Sequence, residues 1–168
     1  LLARLQTGVS AYDVVVPSDY MVTILISDGL LRPIDAAAVP NTVHLEERVT
    51  DPDYDPQMSH SRPYLYGFTG IGVDRDVVGD VEASWALLFD RETVARHGGR
   101  MSLLDDPRDV LGAALLWLGY SLNTTEPDEL AAAEAVVAEA TSWVTKFDSS
   151  DPTGLLVGGE VAVAHIWN

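Results

Sequence analysis

Hydrophobic spacing changes period several times along the chain. Leu1–Gly8 has the spacing of an amphipathic helix end closed by Gly8, and Tyr12-Asp13-Val14-Val15-Val16 is a β-branched run of the kind buried in a parallel sheet. Pro17-Ser18 ends that predicted strand. From Asp19, the residues Met21, Val22, Leu25 and Ile26 recur at helical spacing until Gly29 supplies a stop, with Ser18 or Asp19 as N-cap.

Leu30–Ile34 reads as another short strand. Asp35–Met58 is rich in Pro, Asp and Asn with little periodicity, which predicts loop with at most one short helix near Thr42–Arg48. Arg62–Val73 mixes aromatic, β-branched and glycine residues and suits a long strand bent at Gly67 or Gly70. Ser84–Phe89 predicts a short helix and Arg100–Leu104 a strand. Pro107–Tyr120 predicts an apolar helix, with Asp106 as N-cap and proline at the first helical position. Thr125-Glu126-Pro127-Asp128 opens a further helix that continues through Leu130–Val144, and Glu160–Trp167 alternates as a strand with Val161, Val163 and His165 on one face.

Strands alternating with helices predict an α/β fold with a mostly parallel sheet flanked by helices. Two strand-to-helix junctions have the same form, Val16-Pro17-Ser18-Asp19 and Leu104-Asp105-Asp106-Pro107. Ligands of open α/β sheets collect at such carboxyl ends of strands, so these turns are the first candidate sites.

Composition narrows the partners. The 168 residues carry 26 acidic and 10 basic side chains, a formal net charge of −16, and 47% are hydrophobic, which fits a soluble chain with a core. Residues 69–168 hold 17 of the acidic and 6 of the basic groups, a local charge of −11. With one lysine, Lys146, and no basic cluster, a nucleic-acid partner is not expected. A cationic partner suits the second half, although acidity also serves general solubility or a salt-adapted proteome. The longest apolar stretch, Val110 to Tyr120, is shorter than a membrane span. The absence of cysteine excludes disulfides, zinc–thiolate sites and thiol catalysis. Leu1–Gln6 has no basic n-region and no lipobox cysteine, so any targeting segment is expected to lie outside these residues.

Asp105, Asp106 and Asp109 crowd one turn, with Asp106 and Asp109 at i, i+3. Paired carboxylates suit an ammonium group; equally, Asp106 can cap the helix and Asp109 complete a capping box. Trp117 and Trp143 sit on apolar helical faces and read as core, whereas Trp167 follows a strand end and fits either core or a cation-binding wall. Asp51, Asp53 and Asp55 imitate the start of a calcium loop, but Pro56 and Arg62 stand where glycine and glutamate are required. His44, His60, His97 and His165 lack metal-ligand spacing, and Gly67-x-x-Gly70-x-Gly72 is not a dinucleotide loop. Asn123-Thr124-Thr125 fits a glycosylation sequon but is better explained as the approach to a helix cap. No metal, cofactor or catalytic motif is present.

Four stretches taken together, YDVVVPSDYMV, RPYLYGFTGIGVD, SLLDDPRDVLGAALLWLGYSLNTTEPDEL and GEVAVAHIWN, follow one another as in the polyamine-binding proteins of bacterial ABC importers. The chain resembles the spermidine/putrescine-binding family over nearly its whole length. That resemblance implies a periplasmic-binding-protein-like II fold, with residues 1–68 forming part of lobe 1, residues 69–168 most of lobe 2, and Phe68–Gly70 the crossing between them. It implies a non-enzymatic protein, periplasmic or extracellular and membrane-anchored, that closes on putrescine or spermidine and delivers it to membrane permease subunits. By the same resemblance Ser18 and Tyr20 are ligand contacts in the first lobe, Asp106 and Asp109 are carboxylate contacts in the second, and Trp167 is a stacking aromatic. Family members often have glutamate at the Asp109 position, and they are longer than this chain at both ends. Two other functions remain compatible with the residues: the same fold with another amine, a metal ion or an anion as cargo, and an α/β enzyme using Asp105, Asp106 or Asp109 as acid or base.

Overall fold

The computed structural model describes residues 1–8 and 12–168. The chain packs as two compact units, Leu1–Tyr66 and Gly67–Asn168.

In the first unit, helix α1 spans Leu2–Gln6 and helix α2 spans Asp19–Ser27. Val22 and Leu25 form the buried side of α2. Gly29 stops it at φ +67°, where its N–H donates to Ile26 O and the Leu30 N–H to Leu25 O, satisfying two carbonyls at the helix end. The two strands expected here do not form. Val14 and Val16 are 81% and 73% exposed, and β-branched residues make a strand only where a neighbour supplies a ladder. Leu30–Ile34 is excluded by its own hydrogen bonds, since the Leu30 N–H serves the α2 cap and the Ile34 N–H donates to Ser59 O at 2.8 Å.

Residues 35–58 contain four short 3₁₀ helices, Ala36–Ala38, Pro40–His44, Glu47–Val49 and Pro56–Met58, where at most one helix was expected. Their anchor is Asp55, only 1% exposed. Its carboxylate accepts from the N–H and hydroxyl of both Ser59 and Ser61 and from the His60 N–H. Burial alone would raise this carboxyl, but the hydrogen bonds from Ser61, His60 and Ser59 prevail and hold it at about 2. Arg62 reaches back to Thr42 Oγ1 at 3.0 Å and to the carbonyls of Met58 and Ser61.

The second unit contains strands β1 (Thr69–Val73), β2 (Met101–Leu103), β3 (Val144–Phe147) and β4 (Val163–Trp167) in the order β1-β4-β2-β3. β4 and β3 pair parallel to β2, and β1 pairs antiparallel to β4. The expected strand from Arg62 is shortened to Thr69–Val73 because β4 ends opposite it: Thr69 faces Trp167, the last residue of the ladder. Helices α3 (Arg75–Val78), α4 (Ala86–Phe89), α5 (Arg91–Arg96), α6 (Pro107–Trp117), α7 (Pro127–Ala140) and α8 (Pro152–Val157) complete the unit.

Side-chain alternation along β4 sorts the core. Val163 joins Met101, Leu103, Val110, Ala113, Ala114 and the α4 residues Leu87–Phe89 in one apolar cluster, while Ala164 packs with Leu155 and Val161 in another. The end of α7 corrects the expected helix through Val144. The chain leaves α7 after Ala140, Trp143 Nε1 donates to Leu88 O at 3.2 Å, and Val144–Phe147 pairs with β2. Among the described residues no helix is long and apolar enough to cross a membrane.

Candidate functional site

Asp106 starts α6 from an extended backbone, φ −138° and ψ 109°, and its Oδ1 accepts from Arg108 N at 2.9 Å and Asp109 N at 3.2 Å. Proline at the next position has no N–H to leave unsatisfied. The capping role expected for Asp106 is therefore present, and it occupies one of the two oxygens.

Asp109 does something else. Its Oδ2 accepts from Trp167 Nε1 at 2.9 Å and its Oδ1 from Thr69 Oγ1 at 3.2 Å. Trp167 is 40% exposed and tied by its indole N–H to a carboxylate from another element. The register explains the meeting, because Thr69 and Trp167 are directly opposed in the β1–β4 ladder and both face the first turn of α6.

Behind this trio lies His165, fully buried, two residues before Trp167 on the same strand face. Its ring stands edge-on to Trp85, with centroids 5.7 Å apart and planes at 89°. Neither ring nitrogen has a hydrogen-bond partner among the described residues. Burial lowers its pKa to about 4, against the opposing pull of Asp109 and Asp106. The ring is neutral at pH 7. Beside the same α6 turn an apolar groove of about 270 Å³ opens, its lining including Leu104, Val110, Leu111, Val137 and Phe147.

Of the residues expected to bind a ligand, three are brought together: Asp106, Asp109 and Trp167. Asp105 is exposed and, with Asp106, lines the groove beside the turn. Ser18 and Tyr20 belong to the first unit. Ser18 is the N-cap position of α2 with φ −65° and ψ 158°, its side chain making no capping bond, and Tyr20 lies in the first turn with its N–H on Asp19 Oδ1 at 2.7 Å. Thr69 and His165 were not expected at the site. The only signal for His165 is its shared face with Trp167, and Thr69 has none without the strand register. Among the described residues no group of three or more His, Asp or Glu side chains is placed to hold a metal ion.

A carboxylate pair beside an exposed indole offers charge, several acceptors and an apolar plate. The family of bacterial extracellular solute-binding proteins matches residues 1–168. The chain belongs to that family. Among individual solute-binding proteins, it is 38% identical over 170 residues to the spermidine/putrescine-binding periplasmic protein of Escherichia coli, covering 100% of this chain and 48% of that protein. It is 33% identical over 168 residues to the putrescine/cadaverine-binding protein of Pseudomonas aeruginosa, covering 98% of this chain and 48% of that one. The crystal structure of the TpPotD lipoprotein of Treponema pallidum superposes with a TM-score of 0.87 at 38% identity, over 98% of this chain and 51% of that chain. The chain spans about half the length of the curated relatives it matches.

Proposed function

We propose that this chain serves an extracytoplasmic binding protein that captures a linear polyamine, putrescine or spermidine, and delivers it to the membrane permease of an ABC importer. The observation that carries the proposal is the Asp109 carboxylate held at 2.9 Å by the Trp167 indole N–H, with Asp106 one turn away on the same helix. A diamine must bring each ammonium out of water, and an unpaired buried ammonium is several kcal/mol unfavourable. In the proposed mechanism Asp106 and Asp109 neutralise one ammonium, and the exposed indole face covers the adjoining methylenes. The spermidine/putrescine-binding and putrescine/cadaverine-binding relatives support this cargo, and the periplasmic relative and the lipoprotein support an extracytoplasmic setting, free or membrane-anchored.

Ser18 and Tyr20, in residues 1–68 read as part of one lobe, and Asp106, Asp109 and Trp167, in residues 69–168 read as most of the other, are the proposed contacts. Binding proteins of this kind act by lobe closure around the solute. The acidic balance of residues 69–168, 17 acidic against 6 basic groups, favours a cation over an anionic cargo.

Thermal melting of the full-length protein with putrescine, spermidine, phosphate or an amino acid tests the proposal, because only a true ligand raises the midpoint by mass action. The polyamines are expected to raise it and the others not. Asp106→Asn retains an N-cap side chain, since asparagine caps as well as aspartate, but removes the charge. That variant is expected to melt like the parent without ligand and to lose most of the polyamine shift. An undiminished polyamine shift in Asp106→Asn overturns its role as an ammonium contact, and a shift given by phosphate instead of the polyamines overturns the polyamine cargo.

A further inference from the structure

We propose that Thr69 is a positioning residue for cargo binding: together with Trp167, its partner across the strand ladder, it fixes the plane of the Asp109 carboxylate so that carboxylate and indole meet an ammonium already aligned. The cargo half of this inference rests on the polyamine function proposed above. β1 and β4 run antiparallel with Thr69 opposite Trp167, so both side chains leave the same face of the sheet, where opposed Cβ atoms stand about 5 Å apart. From α6, Asp109 reaches both at once: Thr69 Oγ1 donates to Oδ1 at 3.2 Å, and Trp167 Nε1 donates to Oδ2 at 2.9 Å.

One donor would leave a carboxylate free to turn about its terminal torsion; two donors on its two oxygens define its plane. A carboxylate has about four acceptor directions, so two remain for an incoming ammonium. Both donors are neutral, which orients the group without cancelling the charge that attracts a cation. Trp167 gains equally, because it is 40% exposed at the end of its strand and the Asp109 contact sets the direction of its ring. Groups ordered before the ligand arrives need not be ordered on binding, which is where such a contact strengthens affinity.

Thr69→Val keeps the shape and strand preference of the residue and deletes only the donor; Thr69→Ser keeps the donor. The measurements are the putrescine Kd of the full-length protein by calorimetry and, without ligand, the hydrogen-exchange rate of the Trp167 indole N–H, its resonance assigned with Trp167→Phe. Thr69→Val is expected to raise the Kd by roughly tenfold and to speed the indole exchange, and Thr69→Ser to restore both. Unchanged indole exchange in Thr69→Val overturns the positioning role. Faster exchange with an unchanged Kd overturns its importance for binding. A parent protein that does not bind putrescine refutes the polyamine cargo, and putrescine binding that survives Asp109→Asn refutes Asp109 as its ammonium contact; in either case the ligand-free exchange experiment still decides whether Thr69 orients the pair.

Discussion

His165 makes the second unit acid-sensitive in a range where few other groups act. In the folded chain the ring is fully buried and titrates at about 4, whereas an unfolded chain exposes it to water with an ordinary value near 6.5. Between those values the unfolded chain binds a proton that the folded chain does not. Stability from this residue is therefore complete above pH 6.5 and declines as the pH falls toward 4. The gap corresponds to about 3 kcal/mol over the whole range, or a fall in Tm of roughly 6–12 °C for a protein of this size. The shifted carboxylates act lower: Asp55 and Asp148 are each held at about 2 in the fold, so their contributions are lost only below about pH 4.

The perturbation is His165→Met, which fills a similar volume and carries no titrating group. It also deletes two ring nitrogens that lack partners among the described residues, each a burden of about 1–3 kcal/mol when buried. The variant is expected to be at least as stable as the parent at pH 7.5. Melting followed by circular dichroism at pH 7.5, 6.5, 5.5 and 4.5 gives the comparison. The parent should lose stability steadily below pH 6.5, and the variant should be nearly flat to pH 4.5. A variant whose midpoint falls as steeply as the parent's over that interval refutes the assignment of acid sensitivity to His165.

Two further substitutions test the first unit. Asp55→Asn replaces an acceptor of several hydrogen bonds by a group whose amide confronts the same donors, and should destabilise the chain by about 2–4 kcal/mol at pH 7; urea unfolding with a midpoint within error of the parent would contradict the anchoring role. Gly29→Ala places a Cβ where no atom of the described residues lies within 4 Å, but at φ +67°, so the left-handed backbone is what opposes it. The expected loss is about 1 kcal/mol, and a variant as stable as the parent would show that the α2 cap does not need glycine.

How much of the fold can be read from the sequence depends on where each hydrogen bond goes. Helix starts are local: Asp106-Pro107 announces α6, and Gly29, at φ +67°, announces the stop of α2, whereas α6 ends at Trp117, short of the expected Tyr120, with Gly119 at φ +81° just beyond it. Asp151-Pro152 carries the same start signal, and its carboxylate accepts from Gly154 N at 2.9 Å, yet a helix of six residues is too short for periodicity to reveal. Strands are not local. Tyr12–Val16 has the composition of a strand without a ladder partner among the described residues, and Val144–Phe147 becomes a strand because β2 lies beside it. The acidic run Asp51, Asp53, Asp55, which fails as a calcium loop, serves the backbone: Asp51 accepts from Gln57 N at 2.8 Å, and Asp55 gathers Ser59, His60 and Ser61.

The same distinction divides the candidate site. Capping by Asp106 depends on the next three residues and is visible in any window that contains them. Spacing also allows Asp109 to close a capping box, and nothing within a helical turn argues otherwise. What redirects it is a strand pair whose members lie 40 and 58 residues away, Thr69 and Trp167. A carboxylate that serves only its own helix would tolerate removal of those partners, whereas one tied to the sheet responds to both. Local pattern therefore nominates the carboxylates, and sheet register decides which of them stands against the aromatic wall.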